Sequence, residues 1–176
     1  MDFAAVLDKL RAFLDDHECP YGLVGGLAMA GYGLPRTTLD LDLVVDGSCQ
    51  DEVVRYMEEL GYETLHRSAG YSNHSHRDRA RGDVDFVYVR GETAEKLFAE
   101  LRHVAGPGGR TVPVPRPEHL AAMKVLAMKN DPTRTFQELA DVRHLIVSAG
   151  ADRAEVRAHF VRHGLEDSYR ELEADL

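Results

Sequence analysis

Two aspartates inside an apolar segment, residues 39–45, constrain the fold of this chain more than any other feature. Leucine and valine fill the rest of the segment and favour a β-strand. Because side chains two residues apart on a strand share a face, Asp40 and Asp42 are predicted to project together. The alternate apolar residues are predicted to point into a core: Leu39, Leu41, Leu43 and Val45.

Two like charges about 7 Å apart, such as those of Asp40 and Asp42, repel unless a cation lies between them. Oxygen ligands favour a hard ion such as Mg²⁺, so the segment predicts a metal site.

A glycine pair, Gly25-Gly26, precedes these aspartates by thirteen residues. The apolar residues before the pair predict a strand at 21–24, and those after it predict a short helix at 27–32. Glycines let the backbone approach a phosphate closely, and the amides of a helix N-terminus would point at that phosphate. With Arg36 and Thr37 between the glycines and the aspartates, the order and spacing indicate a nucleotide site.

This arrangement resembles the nucleotidyltransferase superfamily, the fold of polymerase-β-like enzymes. Its pattern is a hydrophobic residue, Gly-Gly or Gly-Ser, a short helix and then Asp-x-Asp on a strand. The resemblance implies a third acidic strand residue, for which Asp85 in the segment 82–89 is the candidate. Asp83 shares the strand face of Asp85 and remains an alternative. We prefer Asp85 because hydrophobic residues flank it on both sides.

The second half of the chain resembles the abortive-infection (AbiEii-like) nucleotidyltransferases in residues 117–124 and 136–145. In that family a helix lysine and a later helix aspartate complete the site, and Lys124 and Asp141 match those positions. The lysine would neutralise the triphosphate as charge moves to the leaving group. The chain departs from the family at residues 135–137, where a basic pair is expected, and this leaves the acceptor open.

The predicted fold class is α/β (α+β), with a small mixed sheet flanked by helices and a C-terminal helical extension. Residues 1–115 are expected to form the nucleotidyltransferase core, and residues 116–176 a helical region packed on it. Ser48 is predicted to cap the helix after the Asp-x-Asp strand. Because Pro113 and Pro115 lack amide donors, residues 111–115 should form an edge strand or a connector. The remaining predicted elements are strands at 62–66 and 83–89 and helices at 3–14, 48–60, 93–102, 117–129, 133–149, 152–163 and 165–172.

The net charge of −9 on 176 residues is unlike that of a general nucleic-acid binder, which is expected to be basic. Arginines and lysines nevertheless cluster in residues 66–82 and 110–135, and a basic rim of this kind would suit a polyphosphate, with or without an RNA end. No run of eighteen apolar residues and no signal-peptide pattern occurs, so neither a membrane span nor secretion is predicted. A cytoplasmic location is expected.

The cysteines and histidines predict no further metal site. Cys19 and Cys49 lack the spacing of a metal site or a disulfide and are expected to be reduced. Of the nine histidines, His74 and His76 form the only close pair, and we expect them in a polar loop. Structural zinc needs a second group of convergent ligands, which the sequence lacks.

Together these features predict an enzyme that transfers a nucleoside monophosphate from an NTP to an acceptor hydroxyl, with two Mg²⁺ ions, or Mn²⁺ instead. The predicted metal ligands are Asp40, Asp42 and Asp85, which with Lys124 are also the catalytic residues. The predicted nucleotide-binding residues are Gly25, Gly26, Arg36, Thr37, Lys124 and Asp141.

Three functions remain open at this point. The first is the toxin of a toxin–antitoxin pair, acting on tRNA, another RNA or a protein and held in check by an antitoxin protein; Lys124 and Asp141 favour it. The second is an antibiotic nucleotidyltransferase acting on an aminoglycoside or a lincosamide. The third is a non-catalytic binding module of the same fold, against which the three acids argue.

Overall fold

The computed structural model describes residues 1–35, 37–174 and 176. Arg36, a predicted phosphate ligand, lies outside the described residues. The helices are α1 (Phe3–Asp16), α2 (Gly25–Gly31), α3 (Gln50–Glu59), α4 (Gly91–Ala99), α5 (Pro117–Asn130), α6 (Thr135–Val147), α7 (Arg153–His163) and α8 (Glu166–Ala174). The strands are β1 (Tyr21–Leu23), β2 (Asp40–Asp46), β3 (Glu63–Ser68), β4 (Tyr71–Ser75), β5 (Asp83–Val89), β6 (Arg102–Ala105) and β7 (Thr111–Val114).

The first compact unit contains Met1–Gly31 and Pro35–Val114 and is built on a five-stranded sheet in the order β1-β2-β5-β4-β3. Strands β2 and β5 are parallel, and the other neighbouring pairs are antiparallel. This mixed sheet with its flanking helices confirms the predicted fold class. Strands β6 and β7 form a separate two-stranded sheet, so residues 111–114 are an edge strand, as the prolines predict.

Strand β2 shows the alternation predicted from its sequence. Leu41, Leu43 and Val45 are fully buried, while Asp40 and Asp42 are half-buried. The prediction for Leu39 was wrong, because this side chain is 82% exposed. The ladder between β2 and β5 begins at Asp40, so Leu39 precedes the paired segment and has no opposite residue to pack against.

Strand β4 corrects the prediction that His74 lies in a polar loop. Its buried positions are occupied by polar residues, so the strand carries no hydrophobic alternation that could reveal it. Ser72 and His74 are fully buried and hydrogen-bond to each other through Oγ and Nε2 at 2.9 Å. The Tyr88 hydroxyl lies 2.9 Å from Ser72 Oγ, and Thr64 Oγ1 lies 3.2 Å from His74 Nδ1. The buried polar atoms satisfy one another, as buried polar groups must.

The turn after β2 is capped by a different residue from the one predicted. A short 3-10 helix, Gly47–Cys49, precedes α3, and Asp46 is its N-cap. Asp46 Oδ1 accepts hydrogen bonds from the Ser48 amide at 2.8 Å and the Ser48 hydroxyl at 2.6 Å. Aspartate is a strong N-cap because its carboxylate accepts the unpaired amides of the first turn.

Cys19 and Cys49 form a disulfide, so the expectation that they are reduced was wrong. Their Cα atoms lie 6.1 Å apart although thirty positions separate them in the sequence. Cys19 precedes β1 and Cys49 follows β2, and the antiparallel pairing aligns Tyr21 with Val45. The pairing therefore brings the start of one strand beside the end of the other, a proximity that sequence spacing does not reveal.

The second compact unit contains Tyr32–Leu34 and Pro115–Leu176. Helices α5 to α8 form it, and α5 contacts both α6 and α7. Tyr32 joins this unit through two hydrogen bonds: its hydroxyl donates to the Pro115 carbonyl at 2.9 Å, and its own carbonyl lies 2.8 Å from His144 Nε2. Of the helices in the described ranges, none has the length and apolar character needed to cross a membrane.

Candidate metal and nucleotide site

Three carboxylates converge on one face of the five-stranded sheet. Asp40 and Asp42 lie on β2, and Asp85 lies opposite Asp42 in the parallel ladder with β5. One carboxylate oxygen from each of the three lies within 4.8 Å of the others. All three side chains are half-buried, so they are partly shielded from water yet open to a ligand.

The donor set of this cluster fits a hard divalent cation. Carboxylate oxygens are the ligands that Mg²⁺ and Mn²⁺ prefer. Three negative charges at this spacing repel one another, and a bound cation would remove that repulsion. Within the described part of the chain, neither Asp40 nor Asp85 forms a salt bridge that could neutralise it.

Asp40 is held by a residue that sequence reasoning did not select. Thr38 Oγ1 donates to Asp40 Oδ1 at 2.5 Å. Thr37, the predicted nucleotide-binding residue, has an exposed side chain. The two threonines are adjacent and of the same type, so the sequence alone carries no signal that separates them.

The glycine pair lies directly against this cluster. Gly25 has φ +60°, and a Cβ atom there would overlap the carboxylate of Asp42. A Cβ atom on Gly26 would lie 2.9 Å from Thr38 Cβ, which is also too close. Helix α2 begins at Gly25 and not, as predicted, at Leu27. The Val24 amide donates to the Asp42 carbonyl at 3.0 Å and ties the glycine turn to β2.

Asp85 is contacted by two residues of β4. Asn73, its register partner, donates from Nδ2 to Asp85 Oδ1. Burial raises the pKa of Tyr71 above its usual range, reinforced by a hydrogen bond to Asp85 and by the charges of Asp85, Asp42 and Asp40. Sequence reasoning missed both residues, because it did not predict the strand that carries them.

Asp83, the alternative third acid, lies in a different environment. It is the register partner of Asp40 on β5, and its side chain is exposed. The group of three carboxylates that could hold an ion contains Asp85 and not Asp83.

Lys124 and Asp141 lie together in the second unit. Lys124 Nζ is 2.7 Å from Asp141 Oδ2 and 2.8 Å from Glu138 Oε2. All three side chains are buried, and Glu138 also pairs with the half-exposed Arg134 at 2.5 Å. Lys124 and Arg134 thus offset the negative charges of Glu138 and Asp141, as burial of those carboxylates requires. Sequence reasoning did not select Glu138, and it placed Arg134 only in the basic cluster of residues 110–135.

No protein-family model matches this chain, and no curated protein matches it in sequence. Solved structures do match it in fold. The antibiotic-resistance factor ANT(2'')-Ia is similar with a TM-score of 0.67 and 18% identity over 99% of this chain and 98% of its own.

Two further solved structures have the same fold. The lincosamide antibiotic adenylyltransferase LnuA, with lincomycin bound, has a TM-score of 0.54 and 16% identity over 81% of this chain and 96% of its own. A putative nucleotidyltransferase from Thermotoga maritima has a TM-score of 0.55 and 17% identity over 79% of this chain and 92% of its own. The chain therefore has the fold of nucleotidyltransferases.

Proposed function

We propose that this chain is a nucleotidyltransferase that transfers a nucleoside monophosphate from an NTP to an acceptor hydroxyl and depends on a divalent cation. The observation that carries the proposal is the convergence of Asp40, Asp42 and Asp85 on one sheet face. The fold supports it, since ANT(2'')-Ia and LnuA share this architecture. A fold alone does not establish a reaction, and the carboxylate cluster supplies the chemical argument.

The three acids have separate roles in this proposal. Asp40 and Asp42 would hold the Mg²⁺ ion that binds the triphosphate, and Asp42 and Asp85 would hold a second ion; Mn²⁺ could replace either. Bound ions would stabilise charge on the attacking and leaving oxygens. Thr38 keeps Asp40 oriented through its 2.5 Å hydrogen bond, so this ligand needs little rearrangement on binding.

The glycine turn is the proposed phosphate site. Gly25 and Gly26 lie against Asp42 and Thr38, so a phosphate held at the turn would be next to the metal ligands. Arg36 and Thr37, from the connection that follows, are proposed to contact the same phosphates. The acceptor hydroxyl attacks the α-phosphorus in line and loses its proton to water. A new O–P bond forms, the bond from the α-phosphorus to the α,β-bridging oxygen breaks, and pyrophosphate leaves.

Lys124 and Asp141 are retained in the proposal on the strength of the AbiEii-like resemblance. Their ion pair fixes the lysine in one orientation, and two carboxylates already share its charge. The role proposed for Lys124 is the one that the resemblance implies: it would neutralise the triphosphate as charge moves to the leaving group.

A small-molecule acceptor has the more specific support. LnuA is an antibiotic adenylyltransferase and ANT(2'')-Ia an antibiotic-resistance factor, and these folds match this chain over most of its length. We therefore propose an aminoglycoside- or lincosamide-like polyhydroxy compound as the first acceptor to test, with ATP as the first donor. An RNA or protein acceptor, with an antitoxin partner, rests on the AbiEii-like resemblance and is the second candidate.

The deciding experiment follows label from NTP to acceptor. The protein is incubated with Mg²⁺ and each α-labelled NTP, together with aminoglycosides, lincosamides, tRNA or cell extract. We expect one acceptor class to take label with release of pyrophosphate, and the Asp42→Asn variant to transfer none. If the wild-type protein binds an NTP but labels no acceptor above the level of the variant, the chain is a binding module and not an enzyme.

A further inference from the structure

Asp85 is fixed to the neighbouring strand by an uncharged donor. Asn73 on β4 is the register partner of Asp85 on β5, and its amide nitrogen donates to Asp85 Oδ1. Both side chains are half-buried, so the bond is partly protected from competition by water. Tyr71, two residues earlier on the same strand face, is close enough to Asp85 for that carboxylate to help raise the pKa of the tyrosine.

The charge of these partners matters as much as their position. An arginine or lysine beside Asp85 would neutralise the carboxylate and weaken its attraction for a metal ion. Asn73 orients the carboxylate and leaves its negative charge intact. The hydroxyl of Thr38 likewise donates to Asp40 and leaves the charge of that carboxylate intact. In the part of the chain that the structure describes, neither acid has a salt-bridge partner.

On β4, the hydrogen-bond donor Asn73 lies opposite the one β5 carboxylate that belongs to the metal-binding cluster, Asp85. Ser75, two residues further along β4, is the register partner of Asp83. Among the described residues, its hydroxyl forms no hydrogen bond with Asp83. Strand β4 thus places a side chain that binds the carboxylate beside Asp85, which belongs to the metal-binding cluster. It places no such side chain beside Asp83, which lies outside the cluster.

We infer that Asn73 is a positioning residue of the metal site, which holds Asp85 in the orientation that a divalent cation requires. This inference rests on the proposed function, because it assumes that Asp40, Asp42 and Asp85 bind the ion. Partners that orient metal-binding carboxylates contribute about 10- to 100-fold to metal affinity or activity.

The test measures Mn²⁺ affinity directly, from the electron paramagnetic resonance signal of free Mn²⁺, without nucleotide. We expect Asn73→Ala to bind Mn²⁺ about 10- to 100-fold more weakly than the wild type, and the matched variant Ser75→Ala to bind as the wild type does. In an Asp85→Asn background, Asn73→Ala should cause no further loss, since the two residues act on the same ligand. Tyr71→Phe, which removes a single oxygen, provides a second test if Asn73→Ala fails to fold.

The outcomes separate this inference from the function on which it rests. If the wild type binds Mn²⁺ and Asn73→Ala binds it equally well, Asn73 has no positioning role. The same conclusion follows if the loss is as large in the Asp85→Asn background, because Asn73 would then act through the fold as a whole. A wild-type protein that binds no Mn²⁺ at millimolar concentration would overturn the proposed metal site and, with it, this inference.

Discussion

Asp85 and Asp83 lie on one face of β5, and substitution distinguishes their roles. We expect Asp85→Asn to lower the rate of nucleotidyl transfer by several orders of magnitude but to keep NTP binding. Asp40 and Asp42 remain in this variant to hold the metal ion that binds the triphosphate. Asp83→Asn, the matched control, should cost about tenfold or less, on the order of one hydrogen bond. Single-turnover kinetics of the two variants measure this, and the reverse ranking would assign the third ligand to Asp83.

Lys124 is the residue whose removal should affect stability most directly. Lys124→Met removes the cation that pairs with both Glu138 and Asp141, two carboxylates that stay buried. Removing one partner of a buried ion pair destabilises a protein by about 3–5 kcal/mol, and we expect a loss of this order in urea denaturation. Lys129→Met, on an exposed position of the same helix, is the control and should change little.

The same two variants also test the catalytic proposal for Lys124. A variant that is as stable as the wild type but inactive would show that the lysine acts in the reaction. A variant that is unstable, yet active once folded at low temperature, would limit Lys124 to holding the second unit together.

At the scale of the element, strand β4 makes stability depend on pH through His74. Burial lowers the pKa of His74 to about 4. In the unfolded chain His74 has a pKa of about 6.5. As the pH falls from about 6.5 to 4, the unfolded chain therefore binds a proton at His74 that the native state does not bind, and the native state loses stability. Above pH 6.5 the imidazole of His74 is neutral in both the native and the unfolded state, so it adds no pH dependence to stability. The expected loss is about 2 kcal/mol at pH 5 and about 3 kcal/mol once the pH falls below 4.

This prediction is checked by urea denaturation at pH 8 and pH 5. His74→Gln should be less stable than the wild type at pH 8, because it disturbs the bonds to Ser72 and Thr64, but should lose less stability on acidification. His103→Gln, at an exposed position on β6, should keep the wild-type pH dependence. An unchanged pH dependence in His74→Gln would show that another group causes the acid loss.

The pairing of β1 with β2 is covalently reinforced by the disulfide between Cys19 and Cys49. A bridge that closes a loop of this length stabilises the native state by about 3–4 kcal/mol, chiefly by restricting the unfolded chain. We expect the Cys19→Ser/Cys49→Ser double variant to unfold at correspondingly lower urea concentration, and dithiothreitol to produce the same shift in the wild type only. Equal stability of the oxidised and reduced wild type would contradict this.

At the scale of the whole molecule, ligand binding should raise the melting temperature. A ligand that binds only the native state at a concentration of 100 Kd stabilises it by about 2.7 kcal/mol, which for a chain of this size is roughly 5–10 °C. We expect this rise with NTP and Mg²⁺ together and no rise when EDTA is present. An unchanged melting curve with all four nucleotides at millimolar concentration would argue against nucleotide binding.

Local sequence determined the parts of this protein that depend on short-range periodicity. The alternation in residues 40–45 is sufficient to place Leu41 and Leu43 inside and Asp40 and Asp42 on the opposite face, because side chains on a strand alternate strictly. Helix α1 follows for the same reason, since apolar residues at helical spacing are a local signal. The glycine pair was identified because two adjacent glycines mark a turn.

The tertiary structure alone decided what lies across from these elements. The parallel register of β2 and β5 places Asp85 opposite Asp42, over a separation that no local pattern encodes. Strand β4, with Asn73, is hidden in the sequence because its buried positions are polar and are satisfied only by distant partners. The disulfide and the Lys124 ion pairs are likewise products of pairing between remote segments. Periodicity reports which face a side chain occupies, whereas its partner depends on the register and packing of the folded chain.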